Sequence, residues 1–136
     1  MKIILRNSFA VIIGLFVGSL ANMGLIMIGA TVVPAPAGVD ATTMEGLKAG
    51  MHLFGFKHFI FPFLAHAVGT LVGAFIAFKI GISQQCKLAM TVGVFFLAGG
   101  IANIIMLPSP LWFTIVDVVC AYIPMAWLGW KFAKRK

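Results

Sequence analysis

Four polar side chains stand inside otherwise apolar stretches of this sequence: Asn22, His66, Asn103 and Asp117. An imidazole and a carboxylate that meet can share or pass a proton, and imidazole is the side chain whose ordinary charge change falls at about pH 5–8. The two amides bring donors and acceptors, so the set holds the parts of a self-satisfying hydrogen-bond network. Each lies at a similar distance from a basic residue closing its stretch. Arg6 to Asn22 and Lys87 to Asn103 are each 16 residues, Lys79 to His66 is 13, and Lys131 to Asp117 is 14. At a helical rise of 1.5 Å per residue these spacings become depths of roughly 20–24 Å. The spacing predicts one polar layer, which Thr70, one turn from His66, and Tyr122 are placed to extend.

Three readings of that layer are open: structural glue between helices, a proton-linked or polar-solute site, and a cofactor or metal site. Ionisable groups inside a span cost about 2.5–3.5 kcal/mol at a helix centre on insertion scales. Interhelical hydrogen bonds average only about 0.6 kcal/mol, so glue is a small return for burying them. Metal or haem ligation is poorly served, because His52, His58 and His66 are spaced six and eight apart and only His66 lies in a span. No cofactor is therefore expected. Hydrolytic chemistry lacks a nucleophile on a strand-to-helix elbow, and no phosphate loop or paired carboxylates occur, so enzyme activity is not expected.

The elements that must position these groups follow from composition. Of 136 residues, 62% are hydrophobic and 10% charged, against about 45–50% and 25% in soluble domains. A water-soluble globule is excluded. About 20 apolar residues of helix cross a hydrocarbon core of about 30 Å, and residues 8–33, 59–80, 88–107 and 111–132 meet that length. The fold class expected is all-α: one polytopic membrane domain over 1–136, a bundle of four transmembrane helices. Pro124 cannot bond the Cys120 carbonyl and should kink the fourth span just past Asp117. In the first loop Thr42 and Glu45 have capping-box spacing. Met44, Leu47, Met51 and Phe54 then recur at helical intervals, predicting an amphipathic helix over about 43–55.

Eight of the ten Lys/Arg fall on the side holding both termini. By the positive-inside rule that side is cytoplasmic, which places the first loop outside and, for a bacterium, the chain in the inner membrane. The opening run is expected to be a retained helix, not a cleaved signal, because its hydrophobicity continues past Ser19-Leu20-Ala21 to Ile28. The net charge of +7 comes without a basic stripe or RNA-binding motif, so no nucleic acid partner is expected. Cys86 and Cys120 have no metal-ligand or CxxC spacing.

Small residues recur four apart in two spans, as Ala10, Gly14 and Gly18 and as Ala65, Gly69, Gly73 and Ala77. Such stripes let helix backbones approach closely, and they should pack against one another or on a second copy or partner membrane protein. Gly18-Ser19-Leu20-Ala21-Asn22 also matches Gly99-Gly100-Ile101-Ala102-Asn103, so two duplicated helical hairpins are conceivable.

The run from Lys57 to Gly73, Lys-His-Phe-Ile-Phe-Pro-Phe-Leu-Ala-His-Ala-Val-Gly-Thr-Leu-Val-Gly, resembles small four-span bacterial membrane proteins of unassigned function. Leu20-Ala21-Asn22 and the Pro34-x-Pro-x-Gly-Val-Asp loop belong to the same likeness, which covers about the first 80 residues. It implies no activity and no site residues. The motifs differ from those of the small multidrug transporters and the fluoride channels. The function expected from the residues is proton-linked or small polar solute permeation, with Asp117 and His66 as the titrating pair. The alternative is a non-catalytic subunit or scaffold that packs on a larger complex through the glycine stripes.

Overall fold

The computed structural model describes residues 1–135. It is all-helical among those residues, with α1 (Lys2–Val32), α2 (Met44–Gly50), a 3-10 turn (Met51–Leu53), α3 (Lys57–Ile80), α4 (Gln85–Met106), α5 (Leu111–Cys120) and α6 (Ile123–Lys134). Four segments, α1, α3, α4 and the α5–α6 pair, are long and apolar enough to cross a membrane. The chain thus has the build of a multi-pass membrane protein. The N-terminus, the end of α6 and the α3–α4 connection lie at one end of the bundle, called here the terminal end. The long first loop and the Pro108-Ser109-Pro110 turn lie at the other, the loop end.

The helix ends follow from local chemistry. α1 stops because Pro34 disfavours helical geometry in the residue before it, and Val33 has left that region at φ −128°, ψ 81°. The helix starts earlier than the apolar stretch because its polar first turns are anchored. Asn7 donates to the Ser83 hydroxyl at 2.9 Å and accepts from the Ile82 N–H at 3.2 Å, while Arg6 donates to the Ile80 carbonyl at 3.2 Å. At the loop end α2 is capped by Thr43, whose hydroxyl accepts from the Gly46 N–H at 3.0 Å. This corrects the expected cap by one residue: Thr42 is taken up by Asp40, which accepts from its N–H and its hydroxyl. The amphipathic segment is also split, seven residues of α-helix and then the 3-10 turn.

The small-residue stripes of α1 and α3 face each other. A Cβ on Gly14 would lie 2.6 Å from the Gly73 carbonyl, one on Gly18 would lie 2.5 Å from that of Gly69, and Ala10, Ala65 and Ala77 are fully buried. Backbones this close leave no room on these faces for another protein. The scaffold alternative therefore lacks the surface it was expected to use. α3 is central, touching α1, α4, α5 and α6. Toward the terminal end, α6 closes on it where Gly129 meets the Leu71 carbonyl and Ala74. Gly93 of α4 closes on Ala126 in the same way, a Cβ there falling 2.5 Å from the alanine methyl.

The matched glycine and asparagine segments do not share environments. Gly18 abuts Gly69 and Phe96, whereas a Cβ on its counterpart Gly99 would meet nothing within 4 Å. The two hairpins differ as well: α3 is continuous, while the fourth span is broken into α5 and α6.

Candidate functional site

The fourth span breaks at Ala121–Tyr122, and the break builds the site. Pro124, at the second position of α6, has no N–H for the Cys120 carbonyl. Tyr122 leaves helical geometry altogether at φ −114°, ψ −80°. The expected kink is therefore a full discontinuity. Its effect is to swing the Tyr122 ring back toward Asp117, five residues earlier, against the backbone of Gly100 on α4. A side chain at residue 100 would collide with the phenol, so glycine there is what admits it.

His66 Nδ1 lies 2.8 Å from Asp117 Oδ1 and 3.0 Å from Oδ2. The Tyr122 hydroxyl donates to Oδ2 at 2.8 Å and lies 3.1 Å from the same imidazole nitrogen. An ionised carboxylate only accepts, so against one Nδ1 is the donor, with the phenol oxygen as a secondary acceptor. The imidazole and phenol rings stack with centroids 5.7 Å apart. Asp117 and Tyr122 are buried at 1% exposure, while the His66 side chain keeps 15%. The exposed part of the triad is thus the imidazole edge away from the carboxylate.

Two cavities meet that edge, and His66 and Asn103 line both. One, of about 300 Å3, runs from the loop end, where Ala41, Leu47, Met51 and Phe54 cover it, down past Phe59 and Phe113. Its lining is mainly apolar, with His58, Ser109, Asn103 and His66 as polar points. The other, of about 370 Å3, lies between α1 and α4. Both are at the lower end of the size range of small-molecule sites.

The remaining expected residues fall on either side of the triad. Asn22 and Asn103 share the second cavity with His66. Neither amide side chain hydrogen-bonds another described residue, and the continuous four-membered network expected from the sequence is not formed. Thr70 is fully buried but bonds backward, its hydroxyl donating to the His66 carbonyl at 2.8 Å. This is the usual satisfaction of a threonine inside a helix, and it keeps Thr70 out of the side-chain network. His58 turns to the start of its own helix, where Nδ1 accepts from the Gly55 N–H at 3.0 Å. Among the described residues no group of three His, Cys, Asp or Glu side chains is placed to hold a metal ion.

Sequence reasoning missed the cavity between α1 and α4, and it placed Tyr122 beside the polar layer without foreseeing that its hydroxyl closes directly onto the carboxylate. The neighbouring Pro124 was the available signal for that closure. No family model, curated protein or solved structure matches the chain.

Proposed function

We propose that the protein is a proton-linked permeation protein for a small solute, entering through the cavity at the loop end. The observation that carries this reading is a cavity from the loop end that reaches an imidazole whose other edge is held by a buried carboxylate. A solute arriving at His66 meets the one titratable edge of the triad, and a proton taken up there is balanced by Asp117 behind it. The groups facing the imidazole are Asp117 from α5 and Tyr122 from the break, with the neutral amides of Asn22 and Asn103 from α1 and α4. Uptake of the proton and of the solute are then coupled.

In this reading the loop end faces the outside, the eight basic residues of the terminal end face the cytoplasm, and α2 with its 3-10 turn acts as a lid. The terminal half is closed by the Gly14–Gly73, Gly93–Ala126 and Gly129–Leu71 contacts, so the arrangement corresponds to a form shut toward the terminal end, with α2 over the loop-end cavity. Release to the other side requires α6 to part from α3 and α4, and the discontinuity at Tyr122 is the joint for that motion. No bond-making chemistry is involved. The partners are the lipid bilayer and, because one bundle of this size has little interior, further copies of the chain.

Flux tests this. Protein in phosphatidylcholine–phosphatidylglycerol liposomes with a trapped pH dye should dissipate an imposed pH gradient, or take up glycerol or urea by light scattering, faster than empty liposomes. Asp117→Asn and His66→Ala should each remove the pH dependence of that flux. Wild-type protein no faster than empty liposomes in every assay would end the permeation reading.

A further inference from the structure

The cavity between α1 and α4 is not required by a path from the loop end, and its position suggests a different occupant. α1 is locked along α3 by the glycine contacts but touches α4 only sparsely. Ser19, Phe95, Gly99 and Asn103 at this gap are all exposed. Both helices are apolar enough to cross a membrane, and both turn large apolar side chains outward, Phe16 and Leu20 on one and Val94 and Ile101 on the other. The gap is therefore a side door to lipid. An amide without a partner is expensive in hydrocarbon, yet Asn22 and Asn103 sit in this opening with unbonded side chains. Phe95 and Phe96 give the cavity aromatic walls, which favour a flat ring stacked or edge-on. At its back, Nδ1 of His66 is engaged by Asp117, leaving Nε2 as the ring nitrogen for an occupant.

We propose that this cavity binds a neutral amphiphile drawn from the bilayer: a flat ring carrying a hydrogen-bonding oxygen, with an apolar tail leaving between α1 and α4. The ring lies against Phe95 and Phe96, and its oxygen takes the amide of Asn103 or Asn22, with His66 Nε2 within the same polar patch. No Lys or Arg lines the cavity and the nearest charge is the Asp117 carboxylate, so an anionic head is disfavoured. A bare acyl chain would leave both amides unpaired. A site for this class of ligand goes beyond permeation and stands whether or not any solute crosses.

Gly99 offers a clean test, because a Cβ there meets no atom within 4 Å although the residue lines the cavity. Gly99→Leu adds bulk beside the site with no clash at its Cβ. Gly24 is equally free of neighbours and lies outside the lining, so Gly24→Leu is the matched control. The probe is a radiolabelled benzoquinone bearing one isoprene unit, titrated by filtration onto full-length protein in phosphatidylcholine nanodiscs. Wild type and Gly24→Leu should bind saturably, and Gly99→Leu and Asn103→Leu at least tenfold more weakly. A version carrying a diazirine on its tail should label α1 or α4 of the wild-type protein. Absence of saturable binding to wild type, unchanged binding by Gly99→Leu, or adducts confined to other helices would overturn the proposal. Binding is read with no gradient present, so its failure and a failure of flux are separate results.

Discussion

Gly100→Ala places a methyl group against the Tyr122 ring, and its consequence can be worked from the geometry. The new Cβ would sit 2.5 Å from Cζ and 3.0 Å from Cε2, and nearer still to the hydroxyl oxygen. Restoring ordinary contact at 3.4 Å needs the ring or α4 to retreat by at least about 0.9 Å, and by more at the hydroxyl oxygen. If the ring moves off the carboxylate by at least that amount, its 2.8 Å bond to Asp117 Oδ2 lengthens to about 3.7 Å or more, beyond hydrogen-bonding range. Overpacking costs about 1–3 kcal/mol, and a hydrogen bond to a charged group about 1.5–3 kcal/mol. Exchanging glycine for alanine within a helix returns about 1 kcal/mol. The net loss expected is therefore about 1.5–5 kcal/mol, read as a lowered unfolding temperature in mild detergent. The decisive comparison is a double-mutant cycle with Tyr122→Phe, which removes both the clashing oxygen and the hydrogen bond. Gly100→Ala should cost at least about 1 kcal/mol less in the Tyr122→Phe background than in wild type. Additive effects, or a Gly100→Ala protein as stable as wild type, would refute the close fit of phenol to glycine.

Two further outcomes concern the frame around the site. Gly18→Leu drives a side chain into the Gly69 carbonyl, a backbone atom that cannot yield, and should cost about 3 kcal/mol or more, whereas Gly24→Leu should change stability by less than about 0.5 kcal/mol. Equal thermal stabilities would mean that the two stripes do not touch. At the loop end, the hydroxyl and then the N–H of Thr42 hold the Asp40 carboxyl below its ordinary value. A depressed folded-state value means that the turn's stabilisation is present above the unfolded value and is lost as pH falls through the folded one. Protection of the Thr42 amide from solvent exchange, corrected for the intrinsic rate, should therefore decline below about pH 4. Unchanged protection down to pH 2 would contradict the Asp40 contact.

The bundle was readable from the sequence because long apolar stretches between Pro-, Gly- and charge-rich breaks leave few alternatives to spanning helices. That His66 and Asp117 could meet was readable too, since helical rise converts residue counts into comparable distances along their helices. Direction around each helix was not. His66 and Asp117 point at each other while the two amides point into cavities, a difference that depends on how far each helix is rotated about its axis. The partner of each glycine stripe was likewise left open between another helix of the chain and a second protein, because a small-residue face suits either. Pro124 announced a disturbance in the fourth span, but the rotation that carries the Tyr122 hydroxyl to Asp117 needs the vacancy opposite it, at Gly100 on another helix. The cap of α2 moved from Thr42 to Thr43 because Asp40 competes for Thr42, a contest between adjacent residues that spacing rules do not rank.

The glycine contacts between α1 and α3 carry a mechanical consequence. Two backbones in direct contact along several turns, tied again by Asn7 and Arg6 to the α3–α4 connection, form a stiff keel. Large rearrangement is left to the other flank, where α4 meets α1 sparsely and the fourth span is already cut in two. Because His66 rides on the keel and Asp117 and Tyr122 on the opposite flank, any rocking of that flank alters the distance between proton donor and acceptor directly.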